Sequence, residues 1–303
     1  DPTVTIETPP HSAGAEVNDG LAELFDGGAQ FQAAVLDQLI NSCQGRVVDL
    51  RSLSTSTREV QTEACLRAMT SGAQVILDGC LPVDLSGHRV GIPDLLIRGA
   101  DTANGSPTYH PVEVKWHKIM LRPRPPDGDA VEPPVLRYSR LTDPTLNAAI
   151  GVSGYGLRIA SREADFLQLA HYHRMLQACG FGAAQAFAGV IGTDDFFEAP
   201  VLAWADLGQP QVRTFSRSSP EGWRLRSLLE RYDHQHAFRL KIAAVAQRQT
   251  GRPDTDPELL VRPIVNKECP RCQWWEQCLP RLDPDEVSLR IDTAPLDMRE
   301  SAT

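Results

Sequence analysis

Two apolar runs of this chain contain charges that an ordinary buried strand would exclude. GIPDLLIRG holds Asp94 directly after Pro93, and PVEVKWHK holds Glu113 and Lys115 two residues apart. Residues two apart on a strand share a face. Glu113 and Lys115 therefore project together, while Val114 turns to the other side. The segment ADTANGSP between the runs is turn chemistry, so the two pair as a β-hairpin that can set Asp94 across from Glu113. Two converging carboxylates form a hard-oxygen site suited to Mg²⁺ or Mn²⁺. Such an ion polarises a phosphoryl oxygen and acidifies a bound water, and the adjacent lysine can orient that water or stabilise developing charge. Pro-Asp and Glu-x-Lys are each common on solvated surfaces. The apolar flanks single these out, because a charge in a buried strand is costly unless it is paired or metal-bound.

A second signal lies in DFLQLAHYHRML. Gln168 and Tyr172 are four apart and share one helix face. A third is CPRCQWWEQC, which spaces Cys269, Cys272 and Cys278 as C-x2-C-x5-C. Thiolates at that density suit zinc or an iron–sulfur cluster, and spacing alone does not separate the two. The chain has seven cysteines, an odd number, three of them in this cluster. That is unlike a secreted disulfide framework, and a reducing compartment is expected.

These groups need a scaffold. The expected element order is helix (residues 21–39, interrupted at Gly27-Gly28), strand (46–50), helix (57–70, stopped by Gly72), strand (74–77) and the hairpin. A Pro- and Arg-rich segment at 119–150 is expected to be an irregular loop or lid. A helix (162–178), strands at 183–191, 201–206 and 211–215, and a long helix from about Pro220 to Gln249, capped by Ser218 or Ser219 and closed by Gly251, complete the order. The organisation is a flexible lead-in (1–20), an α/β core (21–252) with a mixed central sheet flanked by helices, and a cysteine-bearing tail (253–303). No run is long and apolar enough to span a bilayer, and no secretory signal precedes the first element, so a cytosolic protein is expected. The net charge of −9 disfavours a surface that grips nucleic acid everywhere. Arg122, Arg124, Arg137 and Arg140 are candidates for a local basic groove, and a solvated loop explains them equally well.

The combination of Pro-Asp, Glu-x-Lys and a following Gln-x-x-x-Tyr helix resembles the RecB-family nucleases of the PD-(D/E)XK type, such as CRISPR adaptation nucleases and the nuclease domains of recombination helicases. The resemblance covers most of the chain and implies a restriction-endonuclease-like core. It assigns Asp94, Glu113 and the Val114 backbone carbonyl to an Mg²⁺ or Mn²⁺ ion, Lys115 to catalysis, and Gln168 and Tyr172 to the Gln-x-x-x-Tyr element. It implies a DNA nuclease, exonucleolytic or directed to single strands and ends, working in repair, recombination or defence alongside a helicase or similar partner. It also implies a 4Fe–4S cluster on Cys269, Cys272 and Cys278, with zinc as the alternative, shielded by Trp274 and Trp275. Cys43 is the best fourth ligand by its order along the chain, although the family's first cysteine precedes the early helix. The chain starts at Asp1, so an upstream cysteine is an alternative. Cys65, Cys80 and Cys179 are read as packing residues. One element departs from the family pattern. Phe31 and Gln32 stand where the early helix should supply a His or Glu, with Glu63 as a substitute. A catalytically weakened DNA-binding or assembly module on the same fold is the alternative reading.

Overall fold

The structure, a computed structural model, describes residues 19–43, 45–122 and 135–250, with residues 252, 254–258, 260, 261, 265 and 275. Residues 1–18 of the expected lead-in, Arg124, Gly251, Trp274 and the three clustered cysteines lie outside these residues. The chain divides into two compact units, Gly20–His234 and Asp1–Asp19 with Gln235–Thr303. In the second unit the Asp256 carboxylate accepts from the backbone N–H groups of Thr250 and Arg252. Among the described residues no helix is long and apolar enough to cross a membrane.

The larger unit opens with α1 (Asp19–Ser42), which runs through Gly27-Gly28 without a break. Their role is spatial: a Cβ on Gly27 would sit 3.3 Å from the Trp116 indole nitrogen, so the pair makes room for that side chain. β1 (Val47–Asp49) leads to α2 (Arg58–Thr70). Gly72 ends α2 as expected, at φ +73°, with Ala73 N–H donating to Ala68 O at 3.1 Å. β2 (Val75–Leu77), β3 (Leu95–Arg98), β4 (Tyr109–Val114) and β5 (Met120–Leu121) follow.

The segment expected to be an irregular lid contains β6 (Val135–Arg140), and β7 (Ile150–Ser153) begins at its end. The run VLRYSR alternates well enough to form a strand, with Leu136 buried and Arg137 exposed. The prolines around it obscured that short period. After β8 (Gly156–Leu157) come α3 (Glu163–Ala178), β9 (Phe187–Ile191), β10 (Val201–Asp206), β11 (Val212–Phe215), β12 (Trp223–Arg226) and α4 (Leu228–Ala246). The long final helix thus starts later than expected, because Trp223–Arg226 pairs with β11 as a hairpin. Its cap is Ser227, not Ser218 or Ser219. Ser227 Oγ accepts from Glu230 N–H and Glu230 Oε2 accepts from Ser227 N–H, a capping box.

Eight strands form one mixed sheet in the order β1-β2-β3-β4-β9-β10-β6-β7. β1–β2 and β4–β9 are parallel and the other pairs antiparallel. Alternation sorts the side chains. Val75, Leu77, Leu95, Ile97, Val112 and Val114 meet Val35, Leu36 and Leu39 of α1 on one face. Ile76, Leu96 and Tyr109 meet α2 and α3 on the other. Because both faces are covered, the central strands read as nearly continuous apolar runs. A charge there stands out for the same reason.

One buried polar group serves no visible purpose. His173 of α3 is fully buried, and neither ring nitrogen has a hydrogen-bond partner among the described residues. Burial, helped by the Arg174 charge, pushes its pKa down to about 4. Between pH 6.5 and 4 the unfolded chain takes up a proton here and the folded chain does not, so stability falls as pH falls through that window. His173→Leu keeps most of the volume and removes the imidazole. It should raise the melting temperature, and the gain should grow between pH 7 and pH 5, approaching on the order of 3 kcal/mol near pH 4. A gain that does not depend on pH would contradict this assignment.

Candidate functional site

β3 and β4 pair with Leu95 opposite Val112. One step further along the same register, Asp94 stands opposite Glu113, and after another step Pro93 stands opposite Val114. Glu113 has the opposite parity to Val112 and Val114, so it projects toward α3. Pro93 offers no N–H to the ladder. The Val114 N–H donates to the Asp94 carboxylate, reaching Oδ2 at 2.7 Å. The proline thereby also leaves the Val114 carbonyl without a strand donor on that side.

The remaining expected residues converge by hydrogen bonding. Lys115 Nζ donates to Glu113 Oε2 and to Gln168 Oε1, each at 2.8 Å. Gln168 Nε2 donates to Tyr172 OH at 2.9 Å, and Tyr172 OH donates to the Ile92 carbonyl at 3.3 Å. The helix spacing of four and the strand spacing of two therefore meet at one point. Gly91 allows this approach, since a Cβ there would lie 2.4 Å from the Tyr172 ring. The segment leading to Asp94 is held from behind. His171 Nε2 faces the Val90 carbonyl at 3.0 Å and so must carry the proton; its Nδ1 then accepts from Tyr232 OH at 2.8 Å, and Arg89 Nε donates to the same hydroxyl at 3.0 Å.

The early helix contributes as well. Gln32 Nε2 donates to Asp94 Oδ1 at 2.8 Å. The position where the sequence lacked a His or Glu is therefore at the site and is filled by an amide. The Trp116 indole packs on Gly27 and on the Phe31 ring, with ring centroids 5.3 Å apart, fixing this helix against the end of β4. Glu63 does not take the missing role. It is exposed on α2 and pairs with Arg67 one turn along the same helix, and among the described residues no hydrogen bond or ion pair joins it to the site. Cys43 is buried, with Sγ donating to the Leu141 carbonyl at 3.4 Å, and burial raises its pKa. Those are the surroundings of a packed thiol. Cys65 and Cys80 are buried as expected.

Sequence reasoning missed two neighbours. Asp165 Oδ1 lies 3.9 Å from Lys115 Nζ, and its Oδ2 lies 2.9 Å from His117 Nε2. Both carried a local signal: Asp165 precedes Gln168 by three on α3, and His117 follows Lys115 by two. Asp78 was also missed. It stands opposite Asp94 in the β2–β3 register, donates its N–H to Asp94 O at 2.9 Å, and has φ +51°.

Burial dominates the electrostatics of both carboxylates. Burial first, and then the Glu113 charge, push Asp94 up to about 7; burial also raises Glu113. Glu113 is 4 % exposed, and its Oε1 has no hydrogen-bond partner among the described residues. A divalent ion would satisfy this oxygen and offset the carboxylate repulsion. Two carboxylates with one backbone carbonyl suit Mg²⁺, which keeps several of its waters. Among the described residues no group of three or more His, Cys, Asp or Glu side chains is arranged to hold a metal ion. The site is a two-carboxylate one.

The sign of the Asp94 shift gives a pH prediction. Between about pH 4 and pH 7 the folded chain holds a proton that the unfolded chain releases, so metal-free stability falls as pH rises. Asp94→Asn should raise the metal-free melting temperature at pH 8 and change it little at pH 5. An equal shift at both values would argue against a buried, charge-crowded carboxylate.

What fold and site define together is an α/β protein whose mixed sheet ends in a buried carboxylate pair with a lysine. Comparison of the chain with protein-family models, curated proteins and solved structures gives no match.

Proposed function

We propose that this chain is a divalent-metal-dependent DNA nuclease with a PD-(D/E)XK-type site in a restriction-endonuclease-like core. The observation that carries the reading is the linked set Asp94, Glu113, Lys115, Gln168 and Tyr172, in which a buried Glu113 oxygen has no partner among the described residues. Asp94, Glu113 and the Val114 carbonyl would hold the ion. A bound Mg²⁺ or Mn²⁺ supplies Lewis acidity toward a phosphoryl oxygen and acidifies a water. Lys115, held by Glu113 and Gln168, orients that water and faces the charge that builds on the phosphate. Tyr172 keeps Gln168, and through it Lys115, in place. The C-x2-C-x5-C spacing supports a 4Fe–4S tail on Cys269, Cys272 and Cys278, with zinc as the alternative. The working context is DNA repair, recombination or defence, with a helicase-like partner.

One observation favours a second reading. The Gln32 amide bonds the carboxylate that a third acidic ligand would otherwise crowd, which suits a DNA-binding or assembly module with weakened metal affinity. Incubating the full chain with labelled single- and double-stranded DNA in Mg²⁺, Mn²⁺ or EDTA separates the two. Cleavage that needs the metal supports the nuclease; binding without cleavage under every condition leaves the module. Metal analysis of the same preparation tests the tail, since zinc without iron would rule out the cluster.

A further inference from the structure

Beyond Lys115 the chain continues into a surface that the catalytic reading does not use. Arg122, at the end of β5, is exposed, and its guanidinium lies 4.9 Å over the Tyr155 ring and 5.5 Å over the Phe196 ring. Tyr155 in turn packs on Phe196 and Phe197, with ring centroids 5.1 Å and 6.2 Å apart, and Tyr138 lies 4.4 Å from Phe197. All four rings are only partly buried. Arg158 follows directly after β8, the strand paired with β5, and Arg162 is the residue before α3. Among the described residues none of these three arginines forms an ion pair, although the chain carries a net charge of −9.

This shelf is tied directly to the candidate site. Thr193 N–H donates to the His117 carbonyl at 3.1 Å. The Asp194 carboxylate accepts from Ile119 N–H and Met120 N–H, each at 2.9 Å. Phe196 therefore sits on a loop fastened to the segment that leaves Lys115. Seven residues separate Lys115 from Arg122, a reach of at most about 25 Å. Arg122 donates to Tyr155 OH and Arg158 to the Met120 carbonyl, neutral partners that leave the positive charge to recognise phosphates, and exposed aromatic or guanidinium planes stack on bases only when the bases are unpaired. A duplex keeps its bases stacked inside and would use the charges alone.

We propose that this Arg122–Tyr155–Phe196 shelf is a track for single-stranded nucleic acid, holding about four nucleotides beside the Glu113–Lys115 site. The proposal rests on the nuclease reading and assigns the hold on a single strand to named residues outside the carboxylate site. Its test does not depend on catalysis: anisotropy of a labelled oligothymidylate of about twelve nucleotides, titrated with the full chain in EDTA at several salt concentrations. Arg122→Ala and Phe196→Ala should each weaken binding about tenfold. Only Arg122→Ala should also flatten the logarithmic salt dependence, by about 0.7. A duplex of the same length should bind more weakly and respond little to Phe196→Ala. Arg122 is exposed, so its variant decides the matter if Phe196→Ala melts early. Unchanged single-strand affinity in Arg122→Ala would overturn the track even if the protein cuts DNA. Binding that follows these variants in a protein that cuts nothing would keep the track and discard the nuclease.

Discussion

Glu113→Gln is expected to lower Mg²⁺- or Mn²⁺-dependent DNA cleavage by on the order of a hundredfold or more, with DNA binding largely retained. The amide keeps the side-chain shape but is a poor ligand for a hard cation. The fold should tolerate it, because Lys115 keeps Gln168 as a hydrogen-bond acceptor and burial already disfavours the Glu113 charge. A normal melting curve with lost cleavage would therefore report chemistry and not unfolding. Lys115→Ala should lose activity to a similar extent, through the loss of water orientation and charge stabilisation. Wild-type rates in Glu113→Gln would show that the site is misassigned.

Gln32→Glu should have the second-largest effect, in opposite directions with and without metal. Gln32 now donates to Asp94 Oδ1. The substitution replaces that donor with a third carboxylate beside two whose pKa values are already raised. Without metal the melting temperature should fall at pH 8, where a lost charge-assisted hydrogen bond alone costs about 1.5–3 kcal/mol. The deficit should shrink toward pH 5 as the carboxylates take up protons. With Mn²⁺ the same group becomes a ligand, and calorimetric affinity should rise about tenfold or more, equivalent to at least about 1.4 kcal/mol. If cleavage is weak in the wild type, it should rise in this variant. An unchanged melting temperature together with unchanged Mn²⁺ affinity would remove Gln32 from the site.

Much of the candidate site was legible before any coordinates, because its spacing is local. Glu113 and Lys115 share a face through the two-residue period of a strand, and Gln168 and Tyr172 through the four-residue step of a helix. ADTANGSP marked the hairpin that brings Asp94 to Glu113, and the observed register bears that pairing out. The same periodicities located α2, α3, β9 and β10 to within a few residues. Local reading failed where the signal was short or diluted. VLRYSR vanished among prolines, and a strand of the main sheet was read as a lid. WRLR was absorbed into a helix because it adjoins one, while the S-x-x-E box at Ser227 marked the true start.

By itself, then, the sequence determined which residues could act together within each element, and that charges lay in strands both of whose faces are buried. The tertiary structure alone decided what meets across elements. Gln32 and Asp94 are 62 residues apart and Lys115 and Gln168 are 53 apart. Nothing in the local period of either segment sets that distance. The glycine pair in α1 looked like a helix break until Trp116 filled the space beside it. Glu63 stood as the substitute for the group missing at Gln32, yet Gln32 reaches Asp94 while Glu63 faces solvent and pairs with Arg67. Backbone period is fixed by steric geometry within a few residues, whereas helix placement is fixed by which apolar faces the whole sheet leaves to be covered.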